Sequence, residues 1–300
     1  MQKIIVQVPA TSANLGPGFD CLAMGLDLWN TTTFTFGGSR VRVRVRGEGQ
    51  GKLPEDEDNL IYQAFRRVSS QKAVTFPQGL LIECENHIPL SSGLGSSAAA
   101  TLTGLIAANT WLAKPLTTTG ILQVAAEMEG HADNAAAALF GGFVVVLTGN
   151  GKPVVYPLPC AFGKVVVVMP EINLSTQQSR AVIPSQISIQ DAVFNIGRTA
   201  LAVEGFRTAN FKMLSEALQD RLHQPYRLKL IPGAQEAVEA AHGLGARVVL
   251  SGAGPSLIAF TPGDFEEVES VIVKAFQTAG LKTRSWILKT TPQPAFSDIV

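Results

Sequence analysis

The sequence predicts an α+β fold divided into two domains, and three observations support this prediction. The 300 residues, of which 46% are hydrophobic and 16% charged, can bury one large core or two medium ones. Two β-branched runs, G-G-F-V-V-V-L and V-V-V-V-M-P, are separated by turn residues. Helical and strand patterns alternate without a simple repeat after the second run. We therefore expect domains over residues 1–163 and 164–300.

The first half contains strand patterns and long apolar helical patterns. The stretch V-R-V-R-V alternates with period two, which suits a strand with one face in water, and the Ala- and Leu-rich run after Ser97 suits a buried helix. A cluster of threonines precedes the next helical pattern and could cap it. The expected elements are strands at 3–8, 33–36, 41–45 and 80–85, and helices at 59–69, 97–113 and 118–128.

The second half has a mixed order of helices and strands, which is compatible with two packed layers. After the V-V-V-V-M-P strand, the expected elements are helices at 190–205, 207–219, 234–242 and 264–279, and strands at 246–250, 256–261 and 284–289.

Composition excludes several classes of partner. Because the formal net charge is zero, we expect no binding to nucleic acid or to an anionic membrane, and the alternating arginines of V-R-V-R-V-R are expected to form a solvated face. The three cysteines, Cys21, Cys84 and Cys160, lack metal-site spacing and are expected to be reduced thiols. With no signal-peptide pattern and no membrane-length apolar run, the expected location is cytoplasmic.

Residues 88–100, I-P-L-S-S-G-L-G-S-S-A-A-A, form the most informative stretch. It lacks the lysine of a Walker A loop, and although Gly93, Gly95 and Ala98 match a relaxed dinucleotide fingerprint, no Asp or Glu follows for the ribose before Gln123. Glycines that allow close approach, followed by a helix N-terminus, favour an anion site. Serine hydroxyls add donors, and one of them could bind Mg²⁺.

Two further stretches are rich in small, turn-forming residues. Residues 8–20 read V-P-A-T-S-A-N-L-G-P-G-F-D, and residues 250–256 read L-S-G-A-G-P-S. Each alone could be a structural loop. Three such stretches after strands, spread over the chain, predict the walls of one site.

These three stretches resemble, in order and position, the motifs of the GHMP kinases, a family named for galactokinase, homoserine kinase, mevalonate kinase and phosphomevalonate kinase. The stretches E-G-H-A-D-N at 129–134, S-T-Q-Q-S-R at 175–180 and P-Y-R-L-K-L-I-P-G at 225–233 resemble the homoserine kinase branch. The resemblance covers essentially the whole chain. It implies a two-domain GHMP kinase fold, with an N-terminal ATP-binding α+β domain, a C-terminal ferredoxin-like domain and the site in the cleft between them.

The resemblance also implies an activity. It implies a phosphotransferase with an alcohol acceptor, which transfers the γ-phosphoryl group of ATP, with Mg²⁺, to the side-chain hydroxyl of L-homoserine and gives O-phospho-L-homoserine for threonine biosynthesis. A homodimer is expected by similarity. The alternatives are a kinase for another small alcohol and a non-catalytic ligand-sensing protein on the same fold.

By similarity, ATP would contact Asn59 and the phosphate loop of Pro89, Leu90, Ser91, Ser92, Gly93, Leu94, Gly95, Ser96, Ser97, Ala98 and Ala99. Asn59 would bond the adenine, or cap a helix, or do both. Mg²⁺ would be held by Ser97 and Glu129, with Glu127 as the alternative carboxylate.

The implied substrate residues suit a zwitterion that carries a hydroxyl. They are Asn14 and Asp20 for the ammonium group, Arg180 and Arg227 for the carboxylate, Thr176 and Asn134 near the reacting hydroxyl, and Gly254 in the third stretch. The implied catalytic set is Asn134, Thr176 and Ser97. Either Asp133 or Asn134 could face the hydroxyl, no side-chain base is expected, and His131 is expected to be structural.

Overall fold

A computed structural model describes residues 3–70, 79–113, 115–149 and 151–300. Within these residues the strands form two sheets. The strands are β1 (Lys3–Ala13), β2 (Leu22–Phe36), β3 (Val41–Gly47), β4 (Leu80–Asn86), β5 (Phe143–Leu147), β6 (Val154–Leu158), β7 (Lys164–Pro170), β8 (Arg247–Leu250), β9 (Leu257–Phe260), β10 (Thr283–Lys289) and β11 (Phe296–Ile299).

The helices include each of those expected from the sequence, within a few residues at their ends. They are α1 (Leu60–Ser70), α2 (Ser96–Trp111), α3 (Thr118–Glu129), α4 (Asp133–Phe140), α5 (Thr176–Ala181), α6 (Ile189–Thr208), α7 (Phe211–Ala217), α8 (Gln224–Arg227), α9 (Ala234–Gly243) and α10 (Phe265–Thr278). The expected threonine cap is confirmed, since the Thr117 hydroxyl accepts a hydrogen bond from the Gly120 amide at 3.1 Å.

The first sheet has seven strands in the order β11-β1-β2-β4-β3, and β5 and β6 extend it from β2. Its pairs are antiparallel except for β3 with β4, which are parallel. As expected, the arginines of β3 face outward on an edge strand.

The first strand is longer than the sequence predicted. Instead of giving way to a loop after Val8, β1 continues to Ala13, and β2 already begins at Leu22. A break in register between Pro9 and Ala10 accommodates a residue that has no backbone N–H, and the small buried side chains beyond it keep pairing with β2. The stretch of residues 8–20 is therefore half strand and half loop.

The second sheet has four antiparallel strands in the order β10-β7-β9-β8. With α9 and α10 against one face, this is the expected ferredoxin-like arrangement. The expected fold is thus confirmed. The division at residue 164 stays a prediction: β7 begins at Lys164, but β11 returns to the first sheet and pairs with β1.

One apolar core joins both sheets. It contains β1, β2 and α2 residues together with Phe206 of α6 and Phe260 of β9, whose rings lie 5.1 Å apart. A second core fills the space between the four-stranded sheet and α9 and α10. In the described ranges, no helix is both long and apolar enough to cross a bilayer. Each sheet and the helices packed on it form one unit of the fold. Because the two units share one core, the loops between them are held in fixed positions.

Candidate active site

The three glycine-rich stretches meet around one cavity of about 410 Å³ between the two units. Direct backbone bonds join them: the Thr11 amide donates to the Leu94 carbonyl at 3.1 Å, and the Gly252 amide donates to the Ala13 carbonyl at 3.0 Å. The Ser251 hydroxyl also donates to the carbonyl of Gly93 at 2.9 Å. The expected convergence of the three stretches is confirmed, and their role as the walls of a binding site stays a prediction.

The N-terminus of α2 opens onto this cavity. Its N-cap is Gly95, which has a left-handed backbone and no capping side chain. The amides of Ser96, Ser97 and Ala98 therefore have no acceptor within the helix, and all three residues line the cavity. These amides and the helix dipole are suited to an anion, and no lysine is among the described residues that line the cavity. This helix start is called the anion site below.

Both glycines of this loop are required by close contacts. Each has a positive φ, +80° at Gly93 and +74° at Gly95. A Cβ at Gly93 would lie 2.2 Å from the Ser251 carbonyl oxygen, and one at Gly95 would lie 2.1 Å from the Thr11 hydroxyl. The loop can lie this close to its neighbours only without side chains at these positions.

The serine hydroxyls of the loop differ in their roles. Ser92 is buried, donates to the Pro89 carbonyl at 2.8 Å and accepts from the Leu94 amide at 3.2 Å, so its hydroxyl shapes the loop. Ser91 and Ser96 line the cavity. Within the same predicted set, Leu94 and Ala99 belong to the core, and Leu90 borders a neighbouring cavity.

Ser97 and Glu129 lie in contact at the mouth of the anion site. Glu129 Oε1 accepts hydrogen bonds from the Ser97 hydroxyl at 2.9 Å and from the Thr101 hydroxyl at 2.6 Å. The alternative carboxylate, Glu127, instead pairs with Arg67 at 3.3 Å. A carboxylate and a hydroxyl are oxygen donors of the kind that Mg²⁺ accepts, although the described chain contains no cluster of three or more His, Cys, Asp or Glu for a metal. The donor set therefore fits a cation that takes its other ligands from phosphate and water.

A second cavity of about 320 Å³ adjoins the first and shares Ser91, Ser96 and Ser97 with it. Asn59 lines this cavity, but both ends of its amide are already bonded. Its Oδ1 accepts from the Ile61 amide at 3.0 Å, and its Nδ2 donates to the Pro54 carbonyl at 2.8 Å. Asn59 thus caps α1, and contact with adenine stays a prediction.

Asp20 and Arg180 form a two-pronged ion pair across the cavity, with Nη2–Oδ1 and Nη1–Oδ2 distances of 2.8 and 3.0 Å. The hydrogen bonds from Arg180 to Asp20 raise the pKa of the guanidinium, although burial opposes this. Asn14 holds the loop in place, because its Oδ1 accepts from the Asp20 amide at 2.9 Å and its Nδ2 donates to the Gly252 carbonyl at 2.6 Å. Sequence reasoning assigned Asp20 and Arg180 to opposite ends of a substrate but did not show that they pair.

Arg227 is almost fully buried, with 1% of its surface exposed, and yet it lines the cavity. Among the described residues no carboxylate lies within 4.0 Å of it, and its partners are uncharged: the Ser179 carbonyl, the Gly252 carbonyl and the His223 ring. Burial, together with repulsion from Arg180, lowers the pKa of Arg227 to about 10. A buried guanidinium that is still charged at neutral pH and lacks an anion is suited to an anionic ligand.

His131, Asp133 and Asn134 form a polar cluster at the start of α4, and all three line the cavity. Asp133 Oδ1 lies 2.9 Å from His131 Nδ1 and accepts from the Asn134 amide at 2.8 Å. The hydrogen bond between His131 and Asp133 raises the pKa of His131. Burial raises the pKa of Asp133, but the bond from His131 and the neighbouring positive charges outweigh it, so that the pKa is lowered overall.

Asn134 is oriented by a residue that sequence reasoning missed. The buried hydroxyl of Thr11 donates to Asn134 Oδ1 at 2.9 Å, so this oxygen already has a partner. Thr176 begins α5 and lines the cavity, and the Ser175–Gln178 capping box fixes that helix start. From the third stretch, Gly252 and Ala253 line the cavity, whereas Gly254 donates its amide to the Ser251 carbonyl at 2.9 Å.

The fold and motifs match known proteins. The family model for the N-terminal domain of GHMP kinases matches residues 59–142, and the model for the C-terminal domain matches residues 202–278. A homoserine kinase from Desulfitobacterium hafniense is 38% identical over 97% of this chain and 98% of its own. One from Microchaete diplosiphon is 40% identical over 94% of this chain and 92% of its own.

Solved structures agree. The crystal structure of homoserine kinase from Cytophaga hutchinsonii has a TM-score of 0.88 and 29% sequence identity, covering 99% of this chain and 97% of that one. A mevalonate kinase structure from L. major, at 19% identity and a TM-score of 0.69, shares the fold. This chain therefore belongs to the GHMP kinases, and within them to the homoserine kinase family.

Proposed function

We propose that this chain transfers the γ-phosphoryl group of ATP to the side-chain hydroxyl of L-homoserine and so forms O-phospho-L-homoserine for threonine biosynthesis. The relatives named homoserine kinase support this activity. The single observation that carries it is the set of charges around the cavity. Asp20 pairs with the guanidinium group of Arg180, and a second guanidinium group in the same cavity, that of Arg227, is buried with no described carboxylate within 4.0 Å.

This charge pattern is complementary to an amino acid. The substrate ammonium group would bind Asp20 beside Asn14, and the substrate carboxylate would bind Arg180 and Arg227, so that the substrate replaces the ion pair seen without it. The side-chain hydroxyl would then lie near Thr176 and Asn134, which line the same cavity. Gly254 is retained as a substrate residue on resemblance alone.

ATP would bind across both cavities. The phosphates would lie against the free amides at the start of α2, with residues 89–99 around them, and the adenine would enter the second cavity beside Asn59. Ser97 and Glu129 would hold Mg²⁺, because they place a hydroxyl and a carboxylate at the edge of the anion site. A bound Mg²⁺ would neutralise charge on the transferring phosphate.

We expect neither Asp133 nor Asn134 to act as a base. Asp133 is buried, its pKa is lowered and its Oδ1 is already bonded, while the amide of Asn134 cannot take up a proton. The proton would pass to the γ-phosphate or to water. Rate acceleration would come from positioning the hydroxyl and from electrostatic stabilisation, with Asn134, Thr176 and Ser97 as the contacting groups.

A coupled ADP-release assay with Mg-ATP tests this function across L-homoserine, L-threonine, L-serine and mevalonate. The expected result is a kcat/KM for L-homoserine well above the other three. Preference for mevalonate or another alcohol would favour a different GHMP activity, and ATP binding without turnover of any acceptor would favour a ligand-sensing protein.

We also propose a homodimer in the cytoplasm. Light scattering during size-exclusion chromatography measures the mass directly, and a mass near 31.8 kDa, that of one chain, would rule the dimer out.

A further inference from the structure

One aromatic side chain lies beside both arginines of the cavity. Phe19 precedes Asp20 in the first glycine-rich stretch, and its ring centroid lies 5.1 Å from the guanidinium carbon of Arg227 and 5.7 Å from that of Arg180. Guanidinium groups within about 6 Å of an aromatic ring are attracted to it. Both cations therefore lie beside the same aromatic ring.

A buried histidine supports this ring from another side. The ring of His223 stacks on Phe19, with centroids 5.1 Å apart and planes at 25°. Its Nε2 lies 2.8 Å from the Gly16 carbonyl, which can only accept, so Nε2 carries the proton. In the neutral ring Nδ1 is then an acceptor, and it lies 3.3 Å from Nη1 of Arg227.

The surroundings of His223 keep this tautomer neutral. Burial is the largest effect and lowers the pKa of His223; it outweighs the opposing effect of Asp220, whose Oδ2 lies 3.5 Å from Nε2, and Arg227 lowers the pKa further. A neutral ring is required here, because a protonated one would place a second cation against Arg227 and would remove its acceptor.

These contacts leave one part of Arg227 free. Nε donates to the Ser179 carbonyl at 3.1 Å, and Nη1 donates to the Gly252 carbonyl at 3.3 Å and to His223. No described residue accepts from Nη2, and Arg227 lines the cavity. The planar group is thus held at two nitrogens, and the third is available to a ligand.

We propose that Phe19 and His223 are positioning residues, which hold Arg180 and Arg227 at the spacing needed to share one substrate carboxylate. They would thereby set the preference for an amino acid over the matching amino alcohol. This inference rests on the proposed function, because it takes the ligand to be L-homoserine.

The test compares L-homoserine with 3-amino-1-propanol, which keeps the hydroxyl, the chain and the ammonium group but lacks the carboxylate. The second compound is measured as an alternative substrate or as a competitive inhibitor. Phe19→Leu is expected to raise the KM for L-homoserine about tenfold, as for loss of desolvated cation–π contacts. The KM for ATP and the affinity for 3-amino-1-propanol should stay unchanged. Phe19→Tyr, which keeps the ring, should restore the KM.

Two substitutions of His223 test its hydrogen bonds to Gly16 and to Arg227 separately. His223→Asn retains an acceptor near the position of Nδ1, whereas His223→Gln retains a donor that can reach Gly16. His223→Gln should therefore raise the KM for L-homoserine more than His223→Asn does. If Phe19→Leu does not fold, this pair still decides the question.

Phe194→Leu is the matched control. The Phe194 ring also lies beside two arginines, at 3.4 Å from the guanidinium carbon of Arg198 and 3.9 Å from that of Arg221, but it belongs to α6. Its substitution should leave the ratio between the two ligands unchanged.

Equal loss of affinity for both ligands in Phe19→Leu and His223→Gln, or no change for either, would overturn the positioning role. Wild-type protein that does not phosphorylate L-homoserine would instead overturn the proposed function, so that the two failures are distinguishable.

Discussion

Replacing Gly93 by alanine tests whether close packing of the phosphate loop is required for activity. The new Cβ would lie 2.2 Å from the Ser251 carbonyl oxygen and 3.0 Å from that of Gly254, whereas ordinary contact begins at 3.4 Å. One of the two backbones must therefore move by about 1 Å, and misplacement on this scale can lower a rate about 100-fold. We expect kcat/KM in the ADP-release assay to fall by about that factor.

Gly51→Ala is the matched control for this substitution. Gly51 has a φ of +70°, close to the +80° of Gly93, but no atom of the described residues lies within 4 Å of the position that its Cβ would occupy. Both variants should lose about 1–2 kcal/mol of stability from a left-handed alanine, measured by urea unfolding. Only Gly93→Ala should lose activity. Equal kcat/KM values for the two variants would refute the idea that packing against the third stretch shapes the anion site.

Three further predictions concern charged groups of the cavity. Arg180→Ala should raise the KM for L-homoserine about 10- to 100-fold with kcat nearly unchanged, as for loss of a charged hydrogen bond, and an unchanged KM would remove Arg180 from the site. Glu129→Gln should lower kcat about 100-fold and raise the Mg²⁺ concentration needed, while Glu127→Gln should do neither; equal effects in a Mg²⁺ titration would contradict the assignment. Because Asp133 raises the pKa of His131, that histidine contributes stability below its unfolded pKa of about 6.5 and loses the contribution as the pH rises through its folded pKa. His131→Gln should therefore lose more unfolding free energy in urea at about pH 5.5 than at about pH 8.5, and the reverse order would contradict the ion pair.

The local features of the site could be predicted from sequence. Positive φ angles at Gly93 and Gly95 and a helix start at Ser96 are properties of a short segment, and the glycine and serine pattern of residues 88–100 indicates them directly. The convergence of three such stretches was also predictable, since each follows a strand. The resemblance of further stretches to known proteins then indicated the homoserine kinase branch of the family.

The interactions that complete the site could not be predicted, because they join distant parts of the chain. Asp20 and Arg180 are 160 residues apart, and their pairing depends on how the two units pack. Nothing near Arg227 in sequence indicates that it is buried without a carboxylate. Phe19 lies within the stretch of residues 8–20, but the resemblance gives it no role, and His223 lies outside the matching stretches. An aromatic residue in a loop and a lone histidine usually have structural roles.

Some elements were missed for a different reason. Helix α4, with eight residues, is too short to show a helical period, and its alanines have no apolar stripe to detect. Strand β11 has only four residues, and its partner lies at the other end of the sequence. Tertiary pairing, rather than local propensity, determines both the existence of β11 and the extension of β1 to Ala13.

The pairing of β11 with β1 has a consequence for synthesis on the ribosome. Ile4 pairs with Ile299, so one edge of β1 has no partner until nearly the whole sequence has been translated. At about 5–20 residues per second, this edge stays open for many seconds. An open strand edge is a template for pairing with another chain. Until β11 has been made, this edge of the nascent protein is therefore open to pairing with another chain.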